Sequence, residues 1–238
     1  MSVSCQLFIT ATDTGVGKTL VSGLLLGYLR GQGIKAGYQK WVATGCDDQV
    51  EDLARVRQLA GQEAEPPRLD LQVPYRFAYA ASPHLAAELA GREIEAQALI
   101  KASETMRENY EILLVEGVGG ALVPLRRDLL LADLVASLRI PSLLVARSGL
   151  GTLNHTLLTL EALRGREVPV LGVLLTDGPD EDEAIANDNQ RTIAELARVK
   201  VFGRLPWRGN DTELATLFRP LGEAIRASLQ PIAQESTN

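Results

Sequence analysis

This chain of 238 residues has little sulfur, few aromatics and no excess of positive charge. Its two cysteines, Cys5 and Cys46, have no neighbours at zinc-ligand spacing and no partners for a disulfide framework. That excludes a zinc-finger or disulfide-stapled scaffold and leaves plain thiols in a reducing compartment. Lysine and arginine number 24 against 30 aspartates and glutamates, a net charge of −6. Such a balance argues against a general binder of nucleic acid or of an anionic membrane, so any anion must be held by a few aimed groups. No apolar run approaches the ~18 residues of a membrane span. The run at 3–9 is too short, and has no basic flank, for a signal peptide, so the cytoplasm is the expected location. The two histidines, His84 and His155, sit where capping or packing accounts for them, and no Ser–His–Asp or Cys–His arrangement stands out.

What is present is an ordinary globular composition, 46% apolar and 23% charged. Short, near-continuous apolar runs recur at 7–10, 34–38, 112–115 and 142–146, then at 170–175 and, more weakly, at 200–205. Runs of this kind suit strands buried on both faces of a parallel sheet. Between them, residues 19–30, 50–60, 94–109, 129–138, 153–164, 181–197 and 212–229 follow a 3.6-residue period. Alternating signals of this sort predict one doubly wound, mostly parallel α/β sheet with helices on both faces, occupying residues 1–229. The proline- and aromatic-rich segment 66–83 reads as a long loop over one face. The polar, uncapped residues 230–238 read as a frayed tail.

Residues 7–20, LFITATDTGVGKTL, carry the strongest signal. An apolar strand enters a glycine-bearing turn, Gly15-Val16-Gly17, and an apolar helix opens at Lys18, Thr19 and Leu20. This is the layout of a phosphate-binding loop. Backbone N–H groups wrap an anion, the lysine reaches its outer phosphates, and the threonine hydroxyl holds magnesium. The strict motif spacing would place glycine at position 12, where this chain has Thr12. A magnesium–nucleotide site also needs carboxylates. The run 113–115 ends in Glu116, followed by Gly117, Val118 and Gly119, at the strand end that lines the ligand crevice of an α/β sheet. A second acid is less defined: any of Asp47, Asp48, Glu51 and Asp52 could serve, or could simply favour a helix N-terminus. Ser82-Pro83 reads as a cap and first helical residue, a helix start able to face a carboxylate. Residues 149–154 also run from a strand end into a helix.

Five blocks in order, TATDTGVGKT at 10–19, GYQKWVATG at 37–45, ASPH at 81–84, VEGVGG at 115–120 and GLGTLNH at 149–155, resemble the dethiobiotin synthetase family. With LPW at 205–207 they cover the chain almost end to end. The family's own loop is one residue longer than the strict motif, which accounts for Thr12. The resemblance implies a P-loop NTPase-like fold and a cyclo-ligase that joins bicarbonate-derived CO2 to the two amines of 7,8-diaminopelargonate, with ATP as substrate and Mg2+ as cofactor. Matched residue by residue, it implies Lys40 and Lys18 as catalytic lysines and Thr19, Asp52 and Glu116 as magnesium ligands. It implies a nucleotide site of Gly15, Val16, Gly17, Lys18, Thr19, Leu20, Asp52, Glu116, Gly117, Val118 and Gly119, joined by Thr176, Asp177, Leu205, Pro206, Trp207 and Glu213. For the substrate it implies Thr14, Thr44, Ser82, Gly149, Leu150, Gly151, Thr152 and Asn154, the last group reaching the substrate tail across a homodimer interface, with no nucleic-acid or membrane partner.

Three departures from the family pattern stand out. Ala11 replaces a loop glycine, and Trp41 occupies a position that is commonly proline. Thr176-Asp177 stands where Asn-Asp reads the adenine edge, and a hydroxyl cannot reproduce the paired bonds of an amide. Weaker base discrimination is therefore expected. Two other enzyme and switch classes share the loop. A glutamine-fed amidating ligase needs an amidotransferase domain for which the chain has no room, and a partition-type ATPase carries a lysine where this chain has Thr12, Asp13 and Thr14.

Overall fold

Apolar runs without alternation become parallel strands when helices cover both of their faces. The computed structural model describes residues 5–46, 49–61, 68–207 and 209–235 and places six such strands in one sheet. In chain order, β1 (Cys5–Ala11) leads to α1 (Lys18–Gly31), β2 (Ala36–Lys40), the short β3 (Val42–Thr44) and α2 (Glu51–Leu59). Next come α3 (Leu69–Gln72), β4 (Tyr75–Phe77), α4 (Pro83–Leu89), α5 (Ala96–Arg107) and β5 (Ile112–Glu116). A small hairpin of β6 (Pro124–Arg126) and β7 (Leu129–Leu130) precedes α6 (Leu131–Ser137). Then follow β8 (Ser142–Arg147), α7 (Thr152–Arg164), β9 (Val170–Thr176), α8 (Glu183–Ala197), β10 (Val201–Leu205) and α9 (Asp211–Glu235).

The main sheet has the order β10-β9-β8-β1-β5-β2 and every pairing in it is parallel. Strand alternation divides the core between its faces. Leu7, Ile9, Leu143, Val145 and Leu174 pack with Leu25 and Leu29 of α1 and Phe218 and Ile225 of α9. On the other face Phe8, Leu113 and Val115 pack with Leu99 of α5 and Leu134 of α6, while Leu144, Ala146 and Val173 pack with Leu160 and Ile193. The chain leaves β1, crosses over β5 and returns as β2, so the carboxyl end of β1 lies at a switch in strand order, where open α/β sheets form their ligand crevice. Two glycines of α1 bring α2 against it: a Cβ on Gly23 would stand 2.8 Å from Leu59 Cβ, and one on Gly27 3.1 Å from the Leu59 carbonyl oxygen.

The segment expected as a long loop holds structure: α3 and the strand β4, which pairs in parallel with β3 as Val42 with Tyr75 and Thr44 with Phe77. Strands of three residues are too short to show a period, and their partner is distant in sequence. β2 extends two residues past the expected 34–38 and ends on Lys40, so this lysine lies in the strand rather than just beyond it. The helix expected at 129–138 begins with two residues of β7. α9 runs to Glu235, into the span expected as a tail. Asp47, Asp48 and residues 236–238 lie outside the described residues.

Candidate active site

The loop after β1 turns on two left-handed glycines, Gly15 at φ 72° and Gly17 at φ 98°, a region that other residues enter only at a cost. Gly17 also has no room for a side chain, since a Cβ there would lie 3.1 Å from Thr176 Cγ2. The Thr176 hydroxyl donates to the Val16 carbonyl at 2.7 Å, so the end of β9 holds the loop from below. Lys18, the first residue of α1, donates from Nζ to the Gly119 carbonyl at 2.7 Å and the Asp13 carbonyl at 3.1 Å. Burial depresses its pKa to about 8 against the opposing pull of the Glu116 charge.

Glu116, the last residue of β5, is 0% exposed and surrounded by donors. Its Oε2 accepts from Ser22 Oγ at 2.9 Å and from the Tyr38 hydroxyl at 3.0 Å. Its Oε1 lies 3.0 Å from Thr19 Oγ1 and 2.8 Å from Lys40 Nζ. Asp52, in the first turn of α2, completes the group, with Oδ1 2.8 Å from Thr19 Oγ1 and Oδ2 2.7 Å from Lys40 Nζ. Burial alone would lower the Lys40 pKa, but the charges of Glu116 and Asp52 outweigh it and raise the value, keeping an ammonium in place. For Asp52 burial pushes upward, and Lys40, Thr19 and Lys18 together bring the carboxyl below its ordinary value. Burial first, then the nearby Glu116 and Asp52 charges, push Tyr38 well above the usual phenol value, so it remains a donor.

The residues flanking Lys40 are clamped. Gln39 Nε2 donates to the Leu71 carbonyl at 2.8 Å, and Ser103 Oγ of α5 donates to Gln39 Oε1 at 2.6 Å. Trp41 Nε1 donates to the same Ser103 at 2.9 Å, and its fully buried ring lies 5.1 Å from that of Phe8. Trp41 thus fills its place through a satisfied indole. Ser22, Tyr38, Gln39 and Ser103 were not anticipated. Ser22 sits one turn after Thr19 and Tyr38 two strand positions before Lys40, so both spacings pointed to the same face without naming a partner.

A cleft of about 440 Å³ gathers Thr14, Gly15, Gly17, Lys18, Thr19, Lys40, Thr44, Asp52, Glu116, Val118 and Gly119. Val16 is buried beneath it, Leu20 lies one residue into α1, and Gly117 has Phe8 2.8 Å from where its Cβ would be. Thr44 ends β3, and Gly45 and Cys46 bond through their N–H groups to the Tyr79 and Phe77 carbonyls, which brings the stretch before Ser82 alongside. The other expected residues lie outside the cleft. Asn189 ties the Ser148 and Gly149 carbonyls at 2.8 and 3.1 Å, while Leu150 projects from this loop 92% exposed. Gly151 caps α7, whose first turn holds Thr152 and Asn154. Asp177 is held by Arg204 and Ser148, Trp207 is exposed after Leu205 and Pro206, and Glu213 accepts from the Asn210 N–H at 3.1 Å.

Residues 5–213 match a family described as an AAA domain. Among solved structures, the chain superposes on one from the MinC:MinD cell division protein complex of Aquifex aeolicus (TM-score 0.58, 13% identity, 96% of each chain). It also superposes on pNOB8 ParA bound to nonspecific DNA (TM-score 0.60, 13% identity, 96% of this chain and 99% of that one). At these identities the likeness is one of fold. Sheet order, loop and lysine together make this a P-loop nucleoside-triphosphatase fold. Three curated relatives are each named ATP-dependent dethiobiotin synthetase. They are those of Chlorobaculum tepidum (40% identity, 84% of each chain), Anaeromyxobacter dehalogenans (38%, 94% of this chain and 98% of that one) and Brucella ovis (41%, 86% and 87%). Within the P-loop class, the chain belongs to the dethiobiotin synthetase family.

Proposed function

We propose that the cleft closes the cyclic urea of dethiobiotin, with ATP and diaminopelargonate brought together between the loop and Lys40. As a member of this family the protein is an ATP-dependent ligase. One amine of the substrate takes up CO2, forming a C–N bond and releasing a proton, to give a carbamate. A carbamate oxygen attacks the γ-phosphorus of ATP and ADP departs. The second amine attacks the carbonyl carbon of the resulting anhydride, expelling phosphate and closing the ring.

Both partners of the phosphoryl step are anionic, so repulsion between them dominates the barrier, and fixed cations are the main contribution a protein can make. Lys18 serves the outer phosphates. Lys40 stays charged despite its burial and lies at the same strand edge, where it offsets the charge that builds on the transferred group. No covalent intermediate on the protein is called for. The observation that carries this reading is the meeting of Lys40 Nζ, Thr19 Oγ1, Asp52 and Glu116 within 3.0 Å contacts beside Lys18.

A hydroxyl and two carboxylates form the hard oxygen set that suits magnesium, so Thr19, Asp52 and Glu116 would hold it. When bound, magnesium supplies charge neutralisation at the phosphates. Thr14, Thr44 and Ser82 are proposed to contact the substrate. The loop 149–154 does not line its own cleft and exposes Leu150, which supports a homodimer in which this loop serves the neighbouring site. We further read residues 1–229 as one domain and the location as the cytoplasm. Supporting the latter, no helix among the described residues is long and apolar enough to cross a membrane, and Cys5 and Cys46 are free.

The direct test incubates the protein with diaminopelargonate, bicarbonate, magnesium and ATP. The cyclic urea should appear by mass together with an equal amount of ADP. ADP without the urea, or neither, would reject the reading.

A further inference from the structure

Arg147 is the last residue of β8 and the only exposed one in a strand whose other residues are all buried. β8 runs beside β1, with Ala11 opposite Val145, so its carboxyl end borders the loop that follows β1. Strand alternation puts Arg147 on the face of Leu143 and Val145, the face that α1 covers. Its register partner on β9 is Thr176, which supports the loop from that face. The guanidinium follows the same direction: Arg147 Nη2 lies 4.0 Å from the position a Cβ on Gly15 would take, three residues before Lys18. Arg55, Arg127, Arg166 and Arg204 each hold a carboxylate. Among the described residues Arg147 makes no hydrogen bond or ion pair.

An arginine with no partner, placed at the rim of an anion-binding loop in a protein of net charge −6, has its forked donors free for an incoming oxyanion. A surface role would leave it pointing to solvent from any strand end. Here its guanidinium stands beside Gly15 of the loop, where the missing side chain leaves space for it.

We propose that Arg147 is a nucleotide-binding residue whose guanidinium contacts the outer phosphates of the triphosphate alongside Lys18. The proposal rests on the nucleotide site described above. A guanidinium in this place adds a second cation to the polyphosphate from the neighbouring strand, while Lys40 approaches from β2 on the other side of β1 in the sheet order.

The test compares Arg147→Gln, Arg147→Lys and Lys18→Gln with the natural protein. Binding of a non-hydrolysable ATP analogue and of AMP is measured by calorimetry and competition. Arg147 is exposed and makes no hydrogen bond or ion pair among the described residues, so its variants should melt as the natural protein does. Arg147→Gln should weaken the analogue roughly tenfold or more, the loss expected for a charge-assisted phosphate contact. AMP, which lacks the outer phosphates, should be unaffected, and Arg147→Lys should recover part of the loss. Unchanged analogue binding in Arg147→Gln, with Lys18→Gln impaired, overturns the role of Arg147 alone. An equal loss for AMP and the analogue also overturns it, as does a raised KM for the diamine with analogue affinity intact, which would assign the guanidinium to the substrate carboxylate. If Lys18→Gln binds the analogue normally, the nucleotide site itself fails, and the proposal with it.

Discussion

Lys40 and Glu116 are opposite each other in the register of β2 on β5, and Lys40 Nζ reaches Glu116 Oε1 at 2.8 Å. The lysine is therefore positioned by sheet pairing rather than by a loop, and Gln39 and Trp41 on either side of it are fastened to Ser103. A rigid strand end suits the catalytic role proposed for Lys40, since an electrostatic group must keep its place as charge develops. Lys40→Ala should lower turnover by roughly a hundred- to a thousandfold, the scale of losing one electrostatic group at a transition state. Nucleotide affinity should remain measurable by calorimetry. Full activity in this variant would remove Lys40 from the catalytic role.

Asp52 is the more exposed of the two acids and comes from α2, which Gly23 and Gly27 allow to pack closely on α1. Asp52→Asn should shift the magnesium titration of activity to higher concentration. An unchanged titration would point instead to Asp47, Asp48 or Glu51.

Tyr38 and Ser22 both donate to Oε2 of Glu116, which leaves Oε1 facing Thr19 and Lys40. Donors of this kind would fix the orientation of Glu116 in its proposed role as a magnesium ligand. Tyr38→Phe keeps the buried ring and should raise the magnesium needed for half-maximal rate by about tenfold, at the lower end of such effects. Loss of thermal stability with an unaltered magnesium curve would make Tyr38 a packing residue only.

Thr176 uses its hydroxyl on the Val16 carbonyl, and Asp177 is engaged by Arg204 and Ser148. Neither offers the paired amide geometry that would read a base edge. Rates with ATP, CTP and GTP should therefore lie close together, and a strict preference for ATP would contradict this. Thr176→Val should weaken all three nucleotides to a similar degree, because what it removes is a support of the loop.

Arg55 of α2 grips Asp211 at the start of α9 through two bonds of 2.7 and 2.8 Å, and Gln58 adds a third. These donors, the Arg55 hydrogen bonds foremost, hold the Asp211 carboxyl below its ordinary value. A depressed carboxylate stabilises the fold above the ordinary carboxylate range, and that stabilisation is lost as pH falls through the depressed value. Asp211→Asn should therefore destabilise the protein near neutral pH, by no more than about 1 kcal/mol for so solvent-accessible a pair. The difference should vanish in acid, as measured by denaturant melts across pH. A constant difference at all pH values would show that packing, not charge, is responsible.

Much of the site was legible because it is local. The loop from Thr10 to Thr19 declares itself by strand, glycines, lysine and hydroxyl within a few residues, and Glu116 by its place at the end of an apolar run. The parts that were not legible are those whose partners are remote. β3 and β4 are three residues each and exist only by pairing with one another. Asp52 could not be chosen from its cluster by spacing, and nothing in the string singled out Ser22 or Tyr38.

The sequence by itself determined the strands of the main sheet and the larger helices beside them, the expected anion-binding loop and the family, because each depends on residues close together in the chain or on the order of blocks along it. The tertiary structure alone decided that Thr19 meets Asp52 and Glu116, contacts that span 33 and 97 positions. It decided also that Lys40 ends a strand facing Glu116, and that Arg147 stands beside Gly15 with no hydrogen bond or ion pair among the described residues. The physical reason is that an electrostatic site depends on distance in space, and the parallel sheet is what brings the ends of distant strands to one edge.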